Sequence, residues 1–266
     1  MTYGQDQLSA YLRRIGVEDP VRADRATLHR LQRGHRLAIA FENLDIPLGR
    51  GISLEPERIF AKLVADRRGG YCFEQNALFL AMIEAIGFAA RPLLARVWLA
   101  TVETPPRTHT LNLVRLDGED LICDVGFGGS FVPPMRLADG EEVATPDGAR
   151  HRLGRDEEHG WMLERDSGEG WGRQYSFTLE RIWPADLEAA NHFTATRPDT
   201  RFTTLRIASA TIEDGYVSLV DRVLTTSHMG RSEAREINSA GDYRRVLAEI
   251  FRLELAADEV AALGLF

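Results

Sequence analysis

Apolar positions in the first third of the chain recur at three- and four-residue intervals. Leu8, Tyr11, Leu12 and Ile15 share one helical face before Gly16, and Leu28 and Leu31 do so before Gly34. A third helix is predicted after Ser53, with Pro56 in its first turn, Ile59, Phe60, Leu63 and Val64 inward, and an end near Arg68-Gly69-Gly70. A fourth runs from Cys72 to Ile86 through Phe73, Ala77, Leu80 and Ile83 and stops at Gly87. It is apolar nearly all round, which predicts burial.

From Phe88 the spacing shortens to β-like runs: Leu93 to Val102, His109 to Leu116, Leu121 to Phe127, Trp161 to Glu164 and Tyr175 to Leu179. The charged, aperiodic stretch from Gly140 to Gly160 is predicted to be loops, and Trp183 to Phe193 a connecting helix or turn. Two further β-like runs follow, Leu205 to Ala208 and Tyr216 to Leu219. A last amphipathic helix, Tyr243 to Leu253, turns Val246, Leu247, Ile250 and Phe251 inward. No internal repeat or low-complexity tract interrupts this order.

With 266 residues, 44% of them hydrophobic, the chain can bury a substantial core as one large domain or as two to three small ones. No stretch approaches the roughly 20 apolar residues of a membrane span. Met1 to Arg14 also lacks a basic-then-apolar signal pattern, so the simplest reading is a soluble, cytosolic protein. The two cysteines, Cys72 and Cys123, read as thiols. A net charge of −8 argues against nucleic acid or anionic lipid as partners, and an anionic cofactor would need local contacts. Lys62 is the only lysine among 32 basic residues, a bias that reads as genomic base composition rather than function.

Cys72 follows two glycines and opens a buried helix, where free backbone N–H groups and the helix dipole favour a nucleophilic thiol. The plainer alternative is a small buried hydrophobe, but the neighbours Arg68 and Glu74 to Asn76 are too polar for ordinary core. His109, alone, reads as a core or edge histidine beside Leu111 and Leu113. The hairpin after it changes that. Asp117-Gly118 is a two-residue turn signal, and closing there pairs positions whose numbers sum to 235, setting Leu111 opposite Asp124 and His109 opposite Gly126 on one face. His109 and Asp124 become diagonal neighbours about 7–8 Å apart along the backbones. An aspartate inside the apolar run Leu121 to Val125 is costly unless paired, and His109 is its natural partner. Thiol, imidazole and carboxylate are the parts of nucleophilic catalysis; the distance from Cys72 to the pair is left to the fold.

These residues resemble a known family. Arg68 to Asn76, Arg107-Thr108-His109 and Asp124 to Gly128 are similar to the three catalytic signatures of arylamine N-acetyltransferases, and Phe41 to Leu44 and Asn191 to Phe202 resemble two further segments in the same order. The resemblance implies an α+β fold: an N-terminal helical bundle (1–87) carrying Cys72, a central antiparallel β-barrel (88–190) carrying His109 and Asp124, and a C-terminal α/β lid (191–266), around a cysteine-protease-like core. It implies ping-pong acetyl transfer from acetyl-CoA through Cys72 to an arylamine, arylhydrazine or hydrazide. Cys72, His109 and Asp124 fall on the triad, and Phe41, Val97, Phe127 and Phe202 on the acceptor pocket. Thr108, Gly126, Gly128 and Gly129 are the positions expected at coenzyme A, since a glycine-rich segment lets backbone N–H groups approach a pyrophosphate. Ala40 departs from the family's usual proline there.

Other polar residues have simpler readings. Glu42 and Asn43 read as turn or capping residues, Glu74 as a complement to the helix dipole, and Arg68 as a partner of Glu42 or Glu74. Cys123 points away from Asp124 as an inert core thiol, while Phe127 between glycines reads as a ring over a pocket. The remaining histidines, His29, His35, His151, His159, His192 and His228, show no metal-ligand spacing, so no metal is expected. Two other functions fit the same triad residues: a cysteine hydrolase of transglutaminase type, and a binding protein that kept the fold. Monomer and homodimer both stay open.

Overall fold

The computed structural model describes every residue except 1, 2, 19, 100 and 102. α1 (Gln5–Ile15) buries Leu8, Tyr11, Leu12 and Ile15 and ends at Gly16 in the left-handed conformation. α2 (Arg25–Ala38) is capped by Asp24, whose carboxylate accepts the Thr27 N–H at 2.8 Å. After the short strand β1 (Phe41–Glu42), α3 (Pro56–Phe60) runs directly into a π-helical turn, Ala61–Ala65. α4 (Cys72–Ile86) starts where the sequence predicts and stops at Gly87. Its deepest residues are Leu78, Phe79, Met82 and Ile83, whereas Ala77 and Leu80 are half-buried. An all-round apolar helix has no periodicity to mark its inner face.

The middle of the chain forms an eight-stranded antiparallel sheet from β2 (Ala89–Val97), β3 (Arg107–Leu116), β4 (Glu119–Cys123), β5 (Met135–Arg136), β6 (Glu142–Ala144), β7 (Arg150–Asp156), β8 (Gly160–Asp166) and β9 (Gly172–Phe177). Its order is β5-β4-β3-β2-β9-β8-β7-β6, and it curls into a nearly closed barrel around Leu93, Leu111, Ile122, Leu153, Leu163 and Phe177. Alternation gives β3 two jobs. Leu111 and Leu113 face the barrel interior, while Val114 and Leu116 pack outward against the helices with Leu121 and Cys123 of β4. The Asp117-Gly118 turn closes the β3–β4 hairpin in the expected register, Leu116 opposite Glu119 through Asn112 opposite Cys123.

Two strand expectations are corrected. Residues 140–160 hold β6 and β7 rather than loops alone: β7 turns only His151 and Leu153 inward, and its outer arginines pair across to β8, Arg152 with Glu164 at 2.7 Å and Arg150 with Asp166 at 3.1 Å. The alternation is real but carried by so few apolar residues that it reads as charge. The strand expected over 93–102 instead spans Ala89–Val97, and positions 100 and 102 lie outside the described residues.

After α5 (Pro184–Thr196) and α6 (Arg201–Thr204) comes a meander of β10 (Ile207–Ile212), β11 (Gly215–Val220), β12 (Val223–His228) and β13 (Arg231–Glu236). α7 (Ala240–Phe251) and α8 (Ala257–Ala262) cover it, with Tyr243, Val246, Leu247 and Val260 against Val217, Leu219 and Leu224. β13 is exposed at every position, so no pattern announced it. The edge beyond β10 is taken by β1, Phe41 opposite Ser209 and Glu42 opposite Ala208. No helix among the described residues is long and apolar enough to cross a membrane.

Candidate active site

Helix α4 meets the barrel at its own N-terminus. One turn after Cys72, on the same helical face, Asn76 commits its whole amide to the two segments that carry His109 and Asp124. Its Nδ2 donates to the Thr110 carbonyl at 2.7 Å and to Asp124 Oδ1 at 3.0 Å; its Oδ1 accepts from Val125 N at 3.2 Å and Asn112 Nδ2 at 3.2 Å. This stitch fixes the start of α4 against β3 and the segment after β4. Asn76 was read only as a polar neighbour of Cys72; its i+4 spacing is the signal that could have marked it.

Asp124 leaves the ladder just after Cys123, so the expected pairings of Leu111 with Asp124 and His109 with Gly126 do not form. The side chains meet regardless, His109 Nε2 to Asp124 Oδ2 at 2.7 Å, while the other carboxylate oxygen accepts the Gly126 N–H at 2.9 Å. With Nε2 engaged, Nδ1 is the ring nitrogen left for Cys72. The Cys72 sulfur lies 3.8 Å from the carbonyl oxygen of Thr108, the residue before His109, and is near enough to the ring to act on its charge. The fold therefore brings the thiol and the imidazole to the same end of the cavity, the juxtaposition the sequence left open. Burial works against a charged His109, but Asp124 and then Cys72 outweigh it and push the imidazole up to about 10. Burial likewise opposes the Asp124 carboxylate, yet His109, Asn76 and the Gly126 N–H hold it below the usual carboxylate range.

The imidazole is walled by Phe127, ring centroids 5.1 Å apart, and by Tyr175 at 5.2 Å. Above them opens a cavity of about 640 Å³ between the barrel, α4 and the C-terminal sheet, lined by Cys72, His109, Asp124, Phe41, Val97, Phe127, Phe202, Thr108, Gly126, Gly128 and Gly129. The eleven positions expected at the triad, the acceptor and coenzyme A thus border one space. Arg36, also in the lining, was missed: its guanidinium donates to the carbonyls of Val125 at 3.3 Å and Gly129 at 2.7 Å, clamping the glycine-rich segment.

The family model described as N-acetyltransferase matches residues 24–260. Arylamine N-acetyltransferase of Mycolicibacterium smegmatis is 34% identical over 93% of this chain and 92% of that protein. The chain belongs to the arylamine N-acetyltransferase family. Arylamine N-acetyltransferase from Salmonella typhimurium superposes on it with a TM-score of 0.93 at 32% identity, covering 99% of this chain and 100% of that one. The Mycobacterium marinum arylamine N-acetyltransferase solved in complex with CoA gives 0.90 at 30% identity, over 96% and 98%.

Around the cavity this family member places its other polar residues structurally. Asn43 donates to the Phe202 and Leu205 carbonyls at 2.9 and 2.8 Å and accepts from Ile207 N, holding Phe202 beside Phe41. Arg68 pairs with Glu42 at 2.8 Å, one of its two expected partners, while Glu74 takes Lys62 instead. Despite lacking the proline, Ala40 still accepts from Gly70 N and Gln75 Nε2, both at 3.3 Å. Cys123 is fully buried on the opposite face, and burial pushes its thiol up, away from reactivity.

Three buried groups of this arylamine N-acetyltransferase relative set its acid response. Burial lowers His35, bonded to Tyr11, to about 3 and His151 to about 4, and it raises Glu74 to about 7. Between pH 6.5 and 4.5 the unfolded chain gains protons on both histidines that the native state refuses, while native Glu74 already holds the proton the unfolded chain is gaining. Below about pH 5.5, where His109 is protonated in both states, the net is about one proton in favour of unfolding, so stability should fall by about 1.4 kcal/mol per pH unit on acidification. Urea midpoints measured across that window check this, and His35→Gln should flatten the dependence. Midpoints that hold steady in the wild type would refute it.

Proposed function

We propose that the protein transfers acetyl groups from acetyl-CoA to arylamines, arylhydrazines or hydrazides by a ping-pong route through Cys72. The observation that carries this reading is Cys72 set beside the hydrogen-bonded pair His109–Asp124 at the floor of a largely apolar cavity. In the first half, with the proton held on His109 rather than on sulfur, Sγ attacks the thioester carbonyl. The bond to the coenzyme A sulfur breaks, and that sulfur leaves with the proton from His109. In the second half, the amine nitrogen attacks acetyl-Cys72, its proton goes to His109, and the Cys72 sulfur departs. Asp124 keeps the imidazole oriented and balances its charge throughout. The aromatic rings of Phe41, Phe127 and Phe202 suit a flat acceptor, and Thr108 with the bare backbone of Gly126, Gly128 and Gly129 lets the donor approach closely. The Gly126 and Gly129 N–H groups themselves are spent on Asp124 and Ser209.

In this reading three units share the work: residues 1–87 supply the nucleophile, 88–190 the base and its carboxylate, and 191–266 a lid over a core of cysteine-protease type, in the cytosol. Mixing the protein with acetyl-CoA and no amine should release coenzyme A equal to the enzyme and leave one acetyl group on Cys72, read by mass spectrometry of the digested protein. The adduct should persist until an arylamine is added. Rapid loss to water would favour the hydrolase alternative, and no adduct at all would favour the binding protein.

A further inference from the structure

Beneath the site, on the side of α4 away from the barrel, lies a buried ionic cluster that the acetyl-transfer reading does not use. Lys62 Nζ sits 2.7 Å from Asp45 Oδ2, 2.8 Å from Glu74 Oε1 and 4.0 Å from Glu42 Oε1. Arg68 completes it, 2.8 Å from Glu42 and 3.1 Å from Asp45. Both cation side chains are only 15% exposed, and Glu42 and Glu74 are 0% and 3%. Arg50, 43% exposed, also reaches Asp45 from the rim at 3.4 Å, but among the described residues Lys62 is the only cation paired with Glu74.

Lys62 is also the chain's only lysine, and the cluster gives a physical reason in place of base composition. An ammonium is compact and offers three tetrahedral donors, which suits a point surrounded by three acids. A guanidinium is a larger planar fork that suits one or two carboxylates edge-on, as Arg68 shows. The carboxylate that Lys62 holds has a second duty. Glu74 Oε2 accepts the Tyr71 N–H at 3.0 Å, closing the first turn of α4 immediately before Cys72. Tyr71 is itself pinned at its far end by a hydrogen bond to Asn191.

We infer that Lys62 is a positioning residue for acetyl transfer, acting through Glu74 and the Tyr71 N–H to hold the start of α4, and so the Cys72 sulfur, in line with His109. The inference rests on Cys72 being the nucleophile. Without the ammonium, Glu74 would be a buried carboxylate with no cation beside it and would withdraw toward water, taking its cap with it. The fold would survive on the packing of α4, but the sulfur would be free to drift, and a displacement near 1 Å slows such reactions about 100-fold.

The test compares wild type with Lys62→Arg, Lys62→Met and Lys62→Met/Glu74→Gln, the last keeping the cluster's net charge and a carbonyl for the Tyr71 N–H. The rates of Cys72 acetylation by acetyl-CoA and of Cys72 alkylation by iodoacetamide are followed by mass spectrometry, with thermal melts and amine KM alongside. Lys62→Met should slow acetylation about 100-fold with KM within about twofold, and the double substitution should recover to within about tenfold of wild type. Lys62→Arg should melt near wild type yet acetylate at least about tenfold more slowly. A folded Lys62→Arg protein with wild-type rates, or a double variant as slow as the single, overturns the inference. Should Lys62→Met not fold, those two variants decide. If wild type takes no acetyl group while alkylation still depends on Lys62, the acetyl-transfer reading falls and the positioning role stands.

Discussion

Asp124→Asn is expected to lower the rate of Cys72 acetylation by about 10⁴-fold, the loss seen when the carboxylate of such a triad becomes an amide. The hydrogen bonds around this side chain leave the amide no good orientation. One oxygen faces His109 Nε2 and the other accepts from both Asn76 Nδ2 and the Gly126 N–H. If the new amide turns its oxygen to His109, its NH₂ confronts two donors. If it turns its NH₂ to His109, the imidazole must accept there and carry its proton on the nitrogen facing Cys72, where it cannot act as a base. Either choice also removes the charge that sustains the imidazolium. The check is the single-turnover acetylation rate together with a melt. A variant within about tenfold of wild type would show that Asp124 is a packing residue.

Gly126→Ala should be nearly as damaging although it adds one methyl group. That carbon would lie 2.7 Å from both Cys72 Cα and Asn76 Nδ2 and 3.0 Å from the Cys72 carbonyl oxygen. Two of these are backbone atoms of the helix start and the third is fully committed, so the helix must move. We expect acetylation to slow at least about 100-fold and stability to drop by about 2 kcal/mol through overpacking. Gly172→Ala on β9, whose nearest new contact would be an unstrained 3.7 Å, serves as the control and should change neither. Equal behaviour of the two variants in rate and melting would refute the close-approach account.

The site was more legible than the fold around it, and for a physical reason. Cys72 was marked by a helix start among polar neighbours, and Asp124 by a charge in an apolar run. His109 was marked by a turn whose register could be counted. Each is a local conflict between residue and surroundings, which a sequence displays openly. Asn76, Arg36 and Lys62 were passed over because their partners, Thr110, Gly129 and Asp45, lie on other elements with no shared spacing. Among the strands, β7 and β13 went unseen because backbone pairing holds them while their side chains stay charged or exposed.

One wall of the cavity is closed by the pairing of Phe41 and Glu42 with β10, reinforced by Asn43 bonding to Ile207, 164 residues further along. Contacts of such separation form only after the intervening chain has been brought to order, because closing a long loop is opposed by entropy until other contacts reward it. This wall of the cavity therefore belongs to the last stage of assembly. A nascent chain still missing its final quarter holds Cys72, His109 and Asp124 but lacks the wall that encloses the space beside them.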